Sequence, residues 1–275
     1  MTHAIEARRA AFKALHQQGC FIIPNPWDIG SAVLLQHMGF KALASTSSGH
    51  AWSVGQQDGR VPLAQVLDHL RQLVQAVDLP INADFVAGYA DTPKGVETHV
   101  HQAVDTGIAG LSIEDATGDP AHPLREQSDA VERIQAARQA IDHAGGTVLL
   151  VGRAENFLAG QPDLDGTVQR LQAYAEAGAD CLYAPGIHSE EHIRILVQAV
   201  APKPLNVLIG SNHTLTLADL AGLGVRRISV GGALARCAWG ALHKAATALA
   251  QGHFKGFDEA LPYPQINGLF GPGRH

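Results

Sequence analysis

The sequence predicts an α/β protein whose parallel sheet closes into a (β/α)8 TIM-type barrel. Three observations carry that expectation. Short β-rich runs alternate eight times with longer stretches of helical periodicity. The runs are apolar throughout rather than alternating, as strands covered on both faces require. No shift in composition marks a linker, so residues 1–275 read as a single barrel domain with a C-terminal helical extension and an irregular tail. A doubly wound open sheet would call for a glycine-rich GxGxxG after the first strand, and Asn25-Pro26-Trp27-Asp28 stands there instead.

The elements follow in order. Residues 1–19 form an amphipathic helical pattern with charges throughout, unlike a signal peptide. Cys20–Pro24 reads as the first strand, and Asp28 sits where it can cap the helix IGSAVLLQHMG. Lys41–Thr46 is the second strand, running into a polar loop from Ser47 to Gly59. Pro62 opens the helix PLAQVLDHLRQLVQAV, and Leu79–Phe85, the third strand, carries Asp84. The helix GVETHVHQAV leads into Leu111-Ser112-Ile113, a fourth strand that delivers two adjacent acids, Glu114 and Asp115. Thr147–Gly152 is the fifth strand and delivers Arg153 and Glu155; Ala179–Ala184 is the sixth. Pro204–Ile209, the seventh, carries Asn206, and Val225–Gly231 is the eighth. A long helix, ALARCAWGALHKAATALAQG, follows, and Phe257–His275 shows little periodicity.

Composition narrows the function. A net charge of −6 without a basic run argues against nucleic acid as a partner. No apolar run approaches the roughly 20 residues of a membrane span, which points to a cytoplasmic protein with no membrane partner. Three scattered cysteines suit a reducing compartment, and the 15 histidines include no HExxH.

In a barrel, the residues just past the strand ends converge on one mouth. Here they are Asp28, Thr46, Ser47, Asp58, Asp84, Glu114, Arg153, Glu155 and Asn206. Several acids in one cleft need a cation or a proton between them. Oxygen donors of this kind suit Mg²⁺, with Mn²⁺ as the second choice. Arg153 supplies the two-pronged donor that a carboxylate or phosphate wants. Thr46-Ser47-Ser48-Gly49 offers hydroxyls and backbone N–H groups to a second anionic oxygen. The expected partner is therefore a small anionic substrate, carboxylate or phosphate, chelated to a divalent metal.

These residues also carry a resemblance. NPWDIGSA, the segment from GFKALASTSSGH to GQQDG, NADFVAGYAD, GLSIED, VGRAENF and YAPG resemble, in that order, the isocitrate lyase/phosphoenolpyruvate mutase superfamily. The resemblance covers roughly residues 20 to 210. It implies a homodimer or homotetramer, often with the last helix exchanged between subunits. It also implies Mg²⁺-dependent making or breaking of a C–C or P–C bond beside a 2-oxo acid, through an enolate. Carried over by position, Asp84 is the principal metal ligand, and Asp58 and Glu114 belong to the metal shell. Thr46, Ser47 and Arg153 fall where the superfamily binds substrate; Ser48 and Asn206 are expected to join them from their places in the chain.

The departures shape the expected reaction. The superfamily's second acid, two residues past the metal aspartate, is Val86 here. The loop Ala116–Pro123 contains neither the lyase cysteine nor the mutase lysine. Isocitrate lyase, methylisocitrate lyase and phosphoenolpyruvate mutase activities are thereby disfavoured. His122 is the acid/base candidate in that loop, and His50 another beyond the second strand. The catalytic set expected is Asp58, Glu114, Arg153 and His122, for a lyase or hydrolase cleaving a C–C bond of a small 2-oxo or 2-hydroxy acid. The alternatives are a phosphonate P–C bond enzyme, for which Lys94 and Arg125 are the only further cations near the mouth, and a barrel that has lost catalysis and only binds a metabolite.

Overall fold

The structure is a computed structural model and describes residues 2–271. Its strands are β1 (Phe21–Ile23), β2 (Leu43–Ala44), β3 (Ile81–Asp84), β4 (Gly110–Glu114), β5 (Leu149–Arg153), β6 (Cys181–Tyr183), β7 (Leu205–Leu208) and β8 (Arg227–Ser229). They pair in parallel in the order β1-β8-β7-β6-β5-β4-β3-β2. With helices alternating between them, this is a (β/α)8 barrel. The seam between β1 and β2 is closed differently from the rest, because Pro24 directly follows β1. Pro24 has no N–H to donate, so its carbonyl only accepts, from Ala44 N–H at 3.0 Å. The Asn25 side chain completes the seam. Its Nδ2 donates to Ser45 O (3.0 Å), while Oδ1 accepts from the N–H groups of Val230 and Gly231 at 3.0 and 2.9 Å.

Eleven helices accompany the strands among the described residues. They are α1 (Thr2–Leu15), α2 (Ile29–His37), α3 (Ser47–Ser53), α4 (Leu63–Ala76), α5 (Pro93–Val104), α6 (Gln127–His143), α7 (Leu164–Glu176), α8 (Glu190–Val200), α9 (Leu217–Gly222), α10 (Ala233–Ala250) and α11 (Tyr263–Leu269). Their starts are chemically marked. Asp28 accepts from Ser31 N–H in a capping box, so it serves α2 and not the mouth. Thr92, Asp163 and Ser189 cap α5, α7 and α8 in the same way, by accepting from a backbone N–H.

Two regions differ from the sequence expectation. Ser47–Ser53 is helix α3 rather than loop, because Thr46 in an extended conformation accepts from Gly49 N–H and nucleates a turn. Part of the tail is also helical, as α11, with Pro262 just before its first residue. The paired strands are shorter than the apolar runs, since the flanking residues leave the ladder. Cys20 lies outside β1 for this reason.

Two apolar layers hold the barrel. The outer one packs strands against helices, with Leu70, Leu73, Val100, Leu111, Ile134, Leu150, Leu171 and Leu196 essentially inaccessible. The inner one fills the barrel with Ile23, Ala42, Ala44, Ala109, Leu149, Val151, Cys181 and Tyr183, and Phe12 of α1 plugs its N-terminal end. Gly110 is required by that plug, because a Cβ there would stand 2.6 Å from Phe12 Cε1 and 2.7 Å from Asn82 Oδ1. Arg9 ties α1 across the same end through the carbonyls of Ile108 and Val104, each at 2.9 Å. With one end plugged, the opposite end is left for a site.

Candidate active site

Strand register places the first residues of the site. Glu114 pairs with Arg153, Arg153 with Tyr183, Tyr183 with Asn206, and Asn206 with Arg227. In a sheared barrel such a row slopes from the mouth toward the interior. Its upper end is the acid cluster, and its lower end is a buried arginine.

Arg153 is the centre of the cluster. Its Nη1 lies 3.0 Å from Glu114 Oε2 and 3.4 Å from Asp84 Oδ1, and its Nε donates to Glu155 Oε1. The guanidinium also sits over the Tyr183 ring, 5.1 Å from its centroid. One cation thus faces three carboxylates in a buried setting, and it stays charged well beyond the ordinary arginine range despite the opposing effect of burial. Asp84 is held by β2 and α3. Its N–H donates to Ser45 Oγ at 2.9 Å, and its Oδ2 accepts from Ser47 N–H at 3.0 Å.

Glu114 is the least satisfied group. Its Oε2 is buried and accepts no hydrogen bond, since the Arg153 contact is ionic but poorly aligned. Burial pushes its carboxyl up to about 8, Arg153 opposes this, and Glu155, Asp84 and Asp115 add to it. Burial likewise raises Glu155. Asp58 stands at the solvent edge; desolvation raises it, the Ser47 hydroxyl opposes, and Asp84 adds to the rise. Asp115, Glu114's neighbour in sequence, is engaged elsewhere. It accepts from Tyr174 Oη (2.6 Å), Arg170 Nη1 (3.1 Å) and Glu155 N–H (2.8 Å), which fixes the chain after β5.

Among the described residues no three His, Cys, Asp or Glu side chains converge as a ready-made metal centre, because Arg153 lies between them. The donor set nevertheless fits a hard divalent cation. It consists of carboxylate oxygens, and the buried Oε2 of Glu114 lacks the partner that a cation or proton provides.

A cavity of about 230 Å³ opens beside this cluster. Thr46, Ser47, Ser48, Asp58, Asp84 and Arg153 all line it, so the structure gathers six of the residues picked from sequence. Some of the expected donors are already engaged. Ser47 N–H goes to Asp84 and Gly49 N–H to Thr46 Oγ1, while Ser48 Oγ lies 3.1 Å from Thr46 Oγ1 and the Ser47 hydroxyl bonds to Asp58.

Two expected site residues lie elsewhere. His122 is 85% exposed, with Nδ1 3.4 Å from Asp119 Oδ2, on a loop that folds outward as Thr117 N–H donates to Pro123 O and Ala116 bridges Leu124. Asn206 is buried beneath the cavity, where Oδ1 accepts from Arg227 Nε (2.8 Å) and Nδ2 donates to Ser229 Oγ (3.0 Å). His50 faces a small side pocket, stacked on His69 with ring centroids 3.8 Å apart. Lys94 pairs with Glu97 and Arg125 with Asp129, and neither lines the cavity.

Sequence reasoning passed over Tyr183, Ser112, Ser229, Asn82 and Arg227, all of which line the cavity. A signal existed. Asn82 and Asp84, Ser112 and Glu114, and Arg227 and Ser229 each stand two apart, the spacing of residues on one face of a strand.

One end of the barrel is plugged, and the acids grouped about Arg153 lie at the other. The family model described as phosphoenolpyruvate phosphomutase matches residues 12–250, and the chain belongs to that family. A structure from Burkholderia cenocepacia J2315, a candidate lyase/mutase, is 45% identical with a TM-score of 0.94, covering 98% of each chain. The structure of 2,3-dimethylmalate lyase, a member of the PEP mutase/isocitrate lyase superfamily, is 27% identical with a TM-score of 0.85, covering 98% of this chain and 94% of that one. An uncharacterised protein of Mycobacterium tuberculosis is 30% identical over 258 residues, 93% of this chain and 94% of its own. The oxaloacetate decarboxylase of Bradyrhizobium diazoefficiens is 29% identical over 258 residues, 90% of this chain and 87% of its own. The superfamily includes carbon–carbon lyases such as 2,3-dimethylmalate lyase, and this chain is an enzyme of that superfamily.

Proposed function

We propose that the chain is a divalent-metal-dependent enzyme that cleaves a C–C bond of a small 2-oxo or 2-hydroxy carboxylic acid, leaving an enolate-type product carbanion. The observation that carries this reading is Arg153, which faces the cavity while held by Glu114, Asp84 and Glu155. Three carboxylates fix its direction, so it meets a substrate carboxylate without reorganising. The Ser47 and Ser48 hydroxyls add neutral polar groups at the same cavity wall.

Asp84 and Glu114 would hold the metal, Mg²⁺ or Mn²⁺, with Asp58 at its solvent side. When bound, the ion would act as a Lewis acid for the oxygen on which negative charge develops. Tyr183 is the hydroxyl suited to stay protonated beside that charge. Burial pushes it up to about 12, while Arg153 opposes the rise and Ser229 hydrogen-bonds it. With neither cysteine nor lysine in the 116–123 loop, decarboxylation of an oxaloacetate-like substrate suits the site better than a cleavage that expels a second carbon acid needing its own proton donor, because the departing carbon leaves as CO₂. The similarity to oxaloacetate decarboxylase over most of both chains supports this choice.

The active unit in this reading is an oligomer. Of α10's 18 residues only Ala235 is buried, and Trp239, Leu242 and Leu249 are exposed, as are Phe254, Phe257 and Phe270 beyond it. An isolated helix presenting so many apolar side chains to water calls for a second copy to cover it, by docking or by exchange of α10.

Calorimetric titration with oxalate, a planar mimic of an enolate, tests the site. Metal-dependent binding in wild type, lost in Asp84→Asn, is the expected result. No binding with or without Mg²⁺ or Mn²⁺ would refute the reading.

A further inference from the structure

Among the described residues, two other than glycine hold a left-handed backbone, Val86 at φ 40° and Tyr89 at φ 53°. Both lie in the turn that follows β3, within five residues of Asp84. Gly88, between them, is left-handed too, at φ 85°. Glycine adopts that conformation freely, but a β-branched residue such as valine is a strained outlier there. Such backbone persists only where the surroundings over-determine it, and it gathers at functional sites. The turn has no slack toward α5, because a Cβ on Gly88 would stand 2.9 Å from Val96 Cγ2.

What holds the turn is Arg133, on α6. Its side chain is 1% exposed and does not line the catalytic cavity. Nη1 donates to Ala90 O at 2.8 Å and reaches Ala87 O at 3.5 Å, and Nη2 donates to Asp91 O. Nε donates to both carboxylate oxygens of Asp129, one turn earlier on α6, at 3.2 and 3.1 Å. The ion pair alone does not account for the burial, since an i,i+4 pair forms equally well on an exposed helix face. Taking a guanidinium out of water is costly, and the three carbonyls of the turn are what it meets in exchange. The same turn is joined to the acid cluster at two points. Val86 O accepts from Glu114 N–H at 3.0 Å, which fixes the end of β4. Asp84 precedes Val86 by two residues, across the buried Phe85, whose ring meets Tyr89 edge-on at 5.1 Å. Asp84 and Glu114 thus take their spacing from one strained segment, and both face Arg153 Nη1, at 3.4 and 3.0 Å.

We propose that Arg133 is a positioning residue: it holds the 86–91 turn in its left-handed conformation and so sets the spacing of the Asp84 and Glu114 carboxylates for a divalent cation. This rests on the reading that those two acids hold the metal. A small hard cation accepts little departure from its preferred geometry, so a relaxed turn that shifts one carboxylate weakens binding without unfolding the barrel. The planar fork of arginine spans carbonyls from Ala87 to Asp91 while Nε keeps Asp129, whereas a lysine ammonium is a single point of charge.

The test uses Arg133→Lys, Val86→Gly and the double variant. Oxalate is titrated calorimetrically with Mg²⁺ into each, well below its melting transition, and hydrogen exchange of the Glu114 amide is followed without ligand. In R133K oxalate affinity should fall about tenfold or more, the usual loss when an outer partner of a metal ligand is removed. The Glu114 amide, released from Val86 O, should exchange about tenfold faster or more. A side chain that only stabilised the fold would lower the melting temperature and leave the affinity of folded molecules as it was. Glycine takes φ 40° without strain, so V86G should melt no lower than wild type although it loses a side chain. For the same reason the double variant should bind oxalate within about threefold of wild type and regain slow exchange. Wild-type affinity in R133K overturns the proposal, as does a double variant that recovers neither affinity nor slow exchange. Should R133K fail to fold, V86G decides: a melting temperature at or above that of wild type supports the proposal, and a lower one leaves no strain for Arg133 to hold and overturns it. Failure of oxalate to bind wild type would instead overturn the metal-site reading, and the role of Arg133 would then be decided by the Glu114 exchange alone.

Discussion

Glu114→Gln gives the sharpest test of the acid cluster. The Glu114 carboxyl is buried, with an oxygen that accepts no hydrogen bond, and its pKa is raised from 4.5 to about 8. A carboxyl whose folded pKa is raised contributes stability in full below its unfolded pKa, and loses it as pH climbs toward the folded one. Between pH 4.5 and 8 the metal-free folded protein therefore holds a proton that the unfolded chain releases. At pH 7 this costs about 3 kcal/mol at 1.36 kcal/mol per pH unit. Glutamine has the same shape and no proton to hold. Toward Arg153, glutamine still presents an oxygen where Glu114 Oε2 stands 3.0 Å from Nη1. The unfolding entropy of a chain this long is about 0.6 kcal/mol per kelvin, so metal-free E114Q should melt about 5 °C above wild type at pH 7. The gain should vanish at pH 4.5, and added Mg²⁺ or Mn²⁺ should stabilise wild type and not E114Q. Thermal melts in chelator from pH 4.5 to 8 read this directly, because contributions of buried histidines cancel between the two proteins. A variant less stable than wild type at pH 7, or equally stabilised at every pH, would show that Glu114 is a structural ion-pair partner rather than a strained carboxyl waiting for a cation.

Other outcomes follow from named contacts. Arg153→Lys should weaken oxalate binding about tenfold or more, since an ammonium does not reproduce the fork shared among Glu114, Asp84 and Glu155; an unchanged affinity would remove Arg153 from the binding role. His69 is held to about 3 by burial, with its stacked neighbour His50 adding to the shift. A depressed histidine contributes stability above pH 6.5 and loses it as pH falls toward 3. His69→Phe should therefore save about 2 kcal/mol of the wild-type loss between pH 7 and 5, read by melts at the two pH values; parallel losses would contradict it. Light scattering should give a mass that is a multiple of 29.0 kDa. The double substitution Trp239→Glu, Leu242→Glu on α10 should give monomers, and a monomeric wild type at micromolar concentration would rule out the covered face.

Much of this was legible in the sequence because it is local. Apolar runs of strand length between helical periods name the barrel, since both faces of a parallel strand are covered. Asp84, Glu114 and Arg153 are also local, each a charge directly at the end of an apolar run. The fate of neighbouring acids is not local. Glu114 and Asp115 are adjacent in the chain, yet one faces Arg153 and the other is drawn to Tyr174 and Arg170 of α7. The side chain alternates faces with each step along a strand, and which partners wait on each face depends on elements 40 to 60 residues away. His122 shows the same limit. A loop histidine beside a site in sequence points to solvent once Thr117 and Pro123 fold the loop on itself. Arg227 shows it most clearly. In sequence it is one of two adjacent arginines before Ile228, indistinguishable from a surface pair. In the barrel, register places Arg226 at the exposed rim beside Gly19 O and Arg227 in the interior between Asn206 and Asn82. The sequence alone determines which residues carry charge and which strands end beside them. Closure of the sheet decides which charges meet, because it brings together residues that only the sheared register of eight strands makes neighbours.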